Sequence, residues 1–172
     1  MQNISAKYID SRITALAAYQ LIGGVIGLYY LIDLVRSAGH IPPSFVLIIV
    51  LGFVCYLFSV FCGGFLFKDR ILGARLSLVN QLLQVFSFSL FGYGFEYVAG
   101  ISTAVNMDFA PKYSVSLNSE LSNWYLLLSG DDETRRISFN LVAIFLVLFI
   151  SRLQKRMHQQ ALDEMEFDDV NN

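Results

Sequence analysis

The sequence predicts an all-α integral membrane protein: a four-transmembrane-helix bundle with a small extracytoplasmic β-hairpin inserted between helices 3 and 4. Three observations carry that expectation. The chain has 172 residues, 55% of them hydrophobic and only 15% charged, whereas a soluble domain carries about 25% charged residues. Its charges are confined to short segments between long uncharged runs. The segment between the last two runs alternates apolar and polar residues with the period of a strand. The whole chain reads as a single membrane domain, 1–172.

The first run, 13–32, follows a polar start that contains Lys7 and Arg12. A cleavable signal peptide would fit that charge pattern. The run is too long for an apolar h-region of roughly 7–15 residues, and no clean cleavage site follows, so a retained span is expected. Gly23 and Gly27 form a G-x-x-x-G pair, a candidate helix-packing site within the chain or against a second copy. Asp33 and Arg36 read as a solvated pair at the helix end. Pro42 and Pro43 close the following turn, and Pro43 or Ser44 can start the next helix.

The second span is 44–67, with Ser59 and Gly63 as another small-x-x-x-small pair. Lys68 to Arg75 is a basic connection in which Asp69 is a candidate N-cap. The third run, 76–95, has no charge, and roughly twenty residues of helix rise about 30 Å, the thickness of a bilayer's hydrocarbon core. It differs from the others in carrying Ser77, Asn80, Gln84 and Ser87 at steps of three and four, one stripe on a helix. Such a stripe must face protein or a water-filled cavity, because lipid offers no hydrogen-bond partners.

The loop 96–136 holds the expected hairpin, 100–118. Ile101, Thr103, Val105, Met107 and Phe109 alternate with Ser102, Ala104, Asn106 and Asp108, and the pattern resumes after Pro111. Its apolar face is expected to lie on the helix ends or on a further strand, because an isolated hairpin is marginal in water. Residues 119–128 fit a third strand or an interfacial helix, with Trp124 and Tyr125 suited to the headgroup zone either way. An acidic turn, 130–133, leads to the fourth span, 137–152, which is short unless Arg136 and Arg152 snorkel outward. The tail 153–172 continues as helix, with Leu153, Met157, Ala161 and Met165 on one face and an acidic end.

Orientation follows from the basic residues. An inside N-terminus places Lys7, Arg12, Lys68, Arg70, Arg75, Arg152, Lys155 and Arg156 in cytoplasmic segments, and Arg36, Lys112, Arg135 and Arg136 outside. The excess inside puts both termini in the cytoplasm of a plasma (inner) membrane.

Counting residues from the inner boundary places Gln20, Tyr56, Ser59, Asn80 and Gln84 at one depth, a candidate intramembrane polar cluster. Its roles are interhelical hydrogen bonding or a solute or headgroup site. No catalytic, cofactor-binding or metal residue is expected. The spans contain no ionisable acid or base, His40 and His158 lie outside them, and Cys55 and Cys62 lack metal or redox spacing. A net charge of -2 without a basic face excludes nucleic acid as a partner. What remains is a non-enzymatic accessory or scaffold subunit that engages a membrane-protein partner through the hairpin or the tail. The alternative is a homo-oligomeric transport or pore protomer lined by the third-helix stripe.

Overall fold

The computed structural model describes residues 2–110, 112–128 and 135–171, with side chains from 9 to 162 within those ranges. Pro111, the acidic turn 130–133 and the side chains of the acidic tail lie outside the described residues. The order of elements is α1 (Gln2–Ser37), α2 (Pro43–Lys68), α3 (Arg70–Val85), β1 (Phe86–Leu90), β2 (Tyr93–Ala110), β3 (Ser114–Leu128), β4 (Arg135–Asn140) and α4 (Leu141–Asn171).

This is a mixed α and β fold, and it corrects the all-α four-helix bundle. Among the described residues only two helical stretches, Ile9–Ser37 and Pro43–Lys68, are long and apolar enough to cross a membrane. The expected third span, 76–95, is helical only to Val85. Its second half alternates Phe86, Phe88 and Leu90 with Ser87 and Ser89, and forms β1. A two-residue turn follows at Phe91 and Gly92, both with positive φ (54° and 81°), the geometry that matches the twist of a hairpin. The expected fourth span, 137–152, begins as β4 and turns helical only at Leu141. There Asn140 Oδ1 caps α4, accepting from Val142 N at 3.0 Å and Ala143 N at 3.3 Å. Residues 119–128 continue β3 as strand.

The two long helices pack as an antiparallel pair through small residues. A Cβ on Gly63 would stand 2.7 Å from Leu21 Cγ and 2.9 Å from Ala17 O. One on Gly24 would stand 2.7 Å from Val60 Cγ2. Asp69 makes the tight turn into α3, its Oδ1 accepting from Ile71 N and Leu72 N at 3.0 Å each. Ile9, Ile13, Leu16, Ala17, Leu66, Ala74, Ile150 and Leu153 form an apolar cluster at the end of the bundle that carries the chain's N-terminal portion. Leu31, Tyr56, Tyr97 and Ala99 form a second cluster toward the other end.

The sheet runs β1-β4-β2-β3, and β1 also pairs with β2. All these pairings are antiparallel: β1 with the start of β2, β4 with its end, and β1 with β4. A closed circuit of three strands cannot be antiparallel at every joint unless one of them reverses, so β2 must fold back on itself. It does so at the irregularity between Val98 and Ile101, where Gly100 has φ 109° and, on β3, Ser122 has φ 39°. Both values lie in the left-handed region that suits a sharp corner.

Curling reverses the expected facing of the hairpin. On β2 Ser102 and Asn106 are buried, 1% and 5% exposed, whereas Ile101 and Phe109 on the alternate side are 55% and 47% exposed. On β2 the apolar side looks outward and the polar side looks into the curl, the sense found in barrels that face lipid. β3 is the end strand, and from Ser114 to Leu121 it is exposed throughout.

Candidate functional site

The sheet corner docks midway along α1. Ser122 Oγ accepts from Gly100 N at 3.0 Å and donates to Gly23 O at 3.0 Å. Tyr19 OH donates to Ile101 O at 2.9 Å. A Cβ at Gly23 would lie 2.5 Å from Gly100 N, so only glycine admits the strand backbone here. Gly27 serves a different neighbour: its missing side chain leaves the space that the Tyr56 ring fills. The two glycines of the candidate packing pair are thus both occupied within the chain, Gly23 by β2 and Gly27 by α2.

Next to this corner, between the two apolar clusters, lies a polar layer. Ser77 Oγ donates to Gln20 Oε1 at 3.3 Å, and Ser59 Oγ donates to Gln20 O at 3.2 Å. Asn80 Nδ2 donates to Ser59 Oγ at 3.2 Å, and Gln84 Nε2 to Asn80 O at 3.2 Å. Tyr97 OH lies 2.9 Å from Asn80 Oδ1 and 2.8 Å from Cys55 O, its one proton serving two acceptors. Gln84 Oε1 accepts from Ala99 N at 2.8 Å, which satisfies a backbone donor that the corner leaves out of the ladder. Tyr56 joins by its ring, edge-on to Tyr97 with centroids 5.6 Å apart.

Gln20, Ser59, Asn80 and Gln84 therefore form one hydrogen-bonded chain, with Tyr56 packed against it. Sequence reasoning placed Ser87 on the same stripe, but it lies on β1. It missed Tyr97 and Ser122, whose partners are 17 and 99 residues away in the chain. It also missed Gln81, which is fully buried and whose two side-chain polar atoms have no hydrogen-bond partner among the described residues. A mid-helix Gln at i+4 from Ser77 was the available signal. Gln20, Ser59, Ser77, Asn80 and Gln84 are all 0–3% exposed. Most of their hydrogen-bonding atoms find partners within the chain, while Gln20 Nε2 is buried with no hydrogen-bond partner among the described residues.

A second polar place lies inside the curled sheet, a hollow of about 310 Å³ lined by Ser87, Ser89, Glu96, Asn123, Arg136 and Ser138 among others. Arg136 Nε donates to Asp108 Oδ1 at 2.7 Å. Burial pushes the Glu96 carboxyl above the ordinary range and nearby Glu120 adds to this, against opposing effects from Asn123 and Arg136. Among the described residues no group of three or more His, Cys, Asp or Glu could hold a metal ion. Comparison with protein-family models, with curated proteins and with solved structures found no match to this chain.

Proposed function

We propose that this is a membrane-embedded accessory subunit that engages another membrane protein by strand addition along the outer edge of β3. α1 and α2 cross the bilayer, with both chain ends on the cytoplasmic side. The observation that carries this reading is the depth of the unpaired edge. Gly23 is the midpoint of the apolar stretch Ile9–Ser37, and the sheet corner is seated on it. If α1 spans, that corner lies near the middle of the hydrocarbon layer, and the outward apolar face of the sheet meets lipid.

Backbone N–H and C=O groups find no partners in hydrocarbon, so an open edge at that depth calls for a strand from elsewhere. Extended segments that complete an exposed edge are a recurring recognition mode. Little on β3 deters pairing away from the corner at Ser122: between Ser114 and Leu128 its sole charge is Glu120, and it has no proline. The polar stripe of α3 favours this contact reading over a transport path lined by that stripe, because Ser77, Asn80 and Gln84 are buried and bond to partners within the chain.

A photo-crosslinking residue at Leu117, with Leu47 on the lipid-exposed face of α2 as control, tests the proposal in native membranes. A discrete adduct from position 117, absent from position 47 and lost with Val115→Pro, is the expected result. Equal labelling from both positions, or none from 117, overturns it. An adduct of twice the chain mass would identify a second copy as the occupant instead of a different protein.

A further inference from the structure

At the opposite end of the bundle a cleft of about 340 Å³ opens between the start of α3 and the far half of α4. Its lining combines two chemistries. Arg75 and Lys155 bring fixed positive charge and His158 a ring N–H, while Ile71, Met157 and Ala161 supply an apolar wall. None of its lining residues carries a carboxylate. Gln154 also lines it, and its Nε2 is buried with no hydrogen-bond partner among the described residues. A buried amide donor beside two cations calls for an anionic acceptor with several oxygens.

Placement narrows the class. Ile71 stands three residues beyond Lys68, where the second apolar helix ends. Leu153, one turn before Met157, packs in the same cluster as Ile9 and Ile13 at the start of α1. The cleft is therefore level with the cytoplasmic headgroups if α1 and α2 span, and basic pockets between helices at that level suit anionic lipid heads. We propose that this cleft binds the headgroup phosphate of an anionic phospholipid. Arg75 and Lys155 neutralise the phosphate, Gln154 donates to it, and Ile71, Met157 and Ala161 take the first carbons of an acyl chain. A zwitterionic head is disfavoured because its ammonium would meet no carboxylate among the described lining residues. Free phosphate offers the same anionic chemistry but leaves the apolar wall uncovered.

The inference shares with the proposed function only the membrane placement of α1 and α2, and the tests keep the two apart. The purified full chain in neutral detergent is titrated with phosphatidylglycerol, phosphatidylcholine or inorganic phosphate. Retained lipid is read by native mass and the unfolding midpoint by circular dichroism. Phosphatidylglycerol is expected to be retained and to raise the midpoint, while the other two are not. Arg75→Gln with Lys155→Gln, both at exposed positions, is expected to weaken phosphatidylglycerol binding at least tenfold. Lys112→Gln, on the distant hairpin, leaves it unchanged. Equal effects of phosphatidylcholine or of free phosphate, or undiminished binding by the double variant, overturn the inference. Extraction of the chain from membranes by alkaline carbonate would overturn the membrane placement itself.

Discussion

Gly23→Ala tests the seating of the sheet on α1, and Gly64→Ala is its internal reference. Both positions are helical, and glycine there costs about 0.8–1.0 kcal/mol relative to alanine, so each substitution carries the same local gain. Their surroundings differ completely. A Cβ at Gly64 meets nothing within 4 Å, whereas one at Gly23 stands 2.5 Å from Gly100 N, 2.7 Å from Ala99 C and 2.7 Å from Gly100 Cα. Those are backbone atoms of a corner held by Ser122 and Gln84, so relief requires moving the strand rather than rotating a side chain.

Overpacking of this kind costs about 1–3 kcal/mol, and displacing the corner weakens the Ser122 bond to Gly23 O, worth about 1 kcal/mol more. The two variants should therefore differ by roughly 2–4 kcal/mol, with Gly64→Ala the more stable. For a chain of this size that corresponds to a gap of roughly 5–15 °C in midpoint. Circular dichroism in detergent at a common scan rate gives the midpoints. Emission from Trp124, the sole tryptophan, reports on the sheet separately, because its Nε1 donates to Ile48 O on α2 at 3.1 Å. Equal midpoints for the two variants, with unchanged Trp124 emission, would refute a corner seated on Gly23.

Two neighbouring glutamines on α3 should respond in opposite ways. Gln84→Met strands the Ala99 N–H and should cost about 1–3 kcal/mol, whereas Gln81→Met removes two unpartnered polar atoms and should be neutral or stabilising; thermal midpoints of the two variants check this. Glu96 gives stability a pH dependence. Because its carboxyl is raised in the folded state, the unfolded chain releases the proton first, and stability falls as pH rises from the ordinary carboxylate value through the raised one. Glu96→Gln should accordingly be more stable than the parent at neutral pH and indistinguishable from it below about pH 4, as measured by midpoints across a pH series.

The long uncharged runs of α1 and α2 and the turn between them were legible in the sequence, as was Asp69 as a cap. The third run was misread because its length was weighed above its pattern. From Phe86 onward, phenylalanine and serine alternate with period two, and Phe91-Gly92 supplies the turn, yet the absence of charge over 76–95 suggested one unbroken helix. Asn140 was likewise visible as a capping residue type inside the supposed fourth span. The inversion of the hairpin was not legible. Which side of an alternating strand is buried depends on what the sheet folds around, and here the fold-back of β2 comes from pairings between segments as distant as Phe86 and Phe139. The polar layer lay between these extremes: Gln20, Ser59, Asn80 and Gln84 could be aligned by depth along straight helices, while Tyr97 reaches them only through a strand.

The circuit of β1, β2 and β4 also dictates an order of events during synthesis. β1 is complete by Leu90, but its neighbour β4 begins at Arg135, so the ribosome must add more than forty residues before the circuit can shut. Before then β2 and β3, which seat on Gly23 and reach Asn80 and Gln84, are already made, but β1 and the end of β2 lack the strand that joins them. Because α4 is joined directly to β4, it can settle only as that closure happens. A nascent chain arrested before residue 135 would therefore hold every element from α1 to β3 but neither β4 nor α4, with one side of β1 and the end of β2 left open.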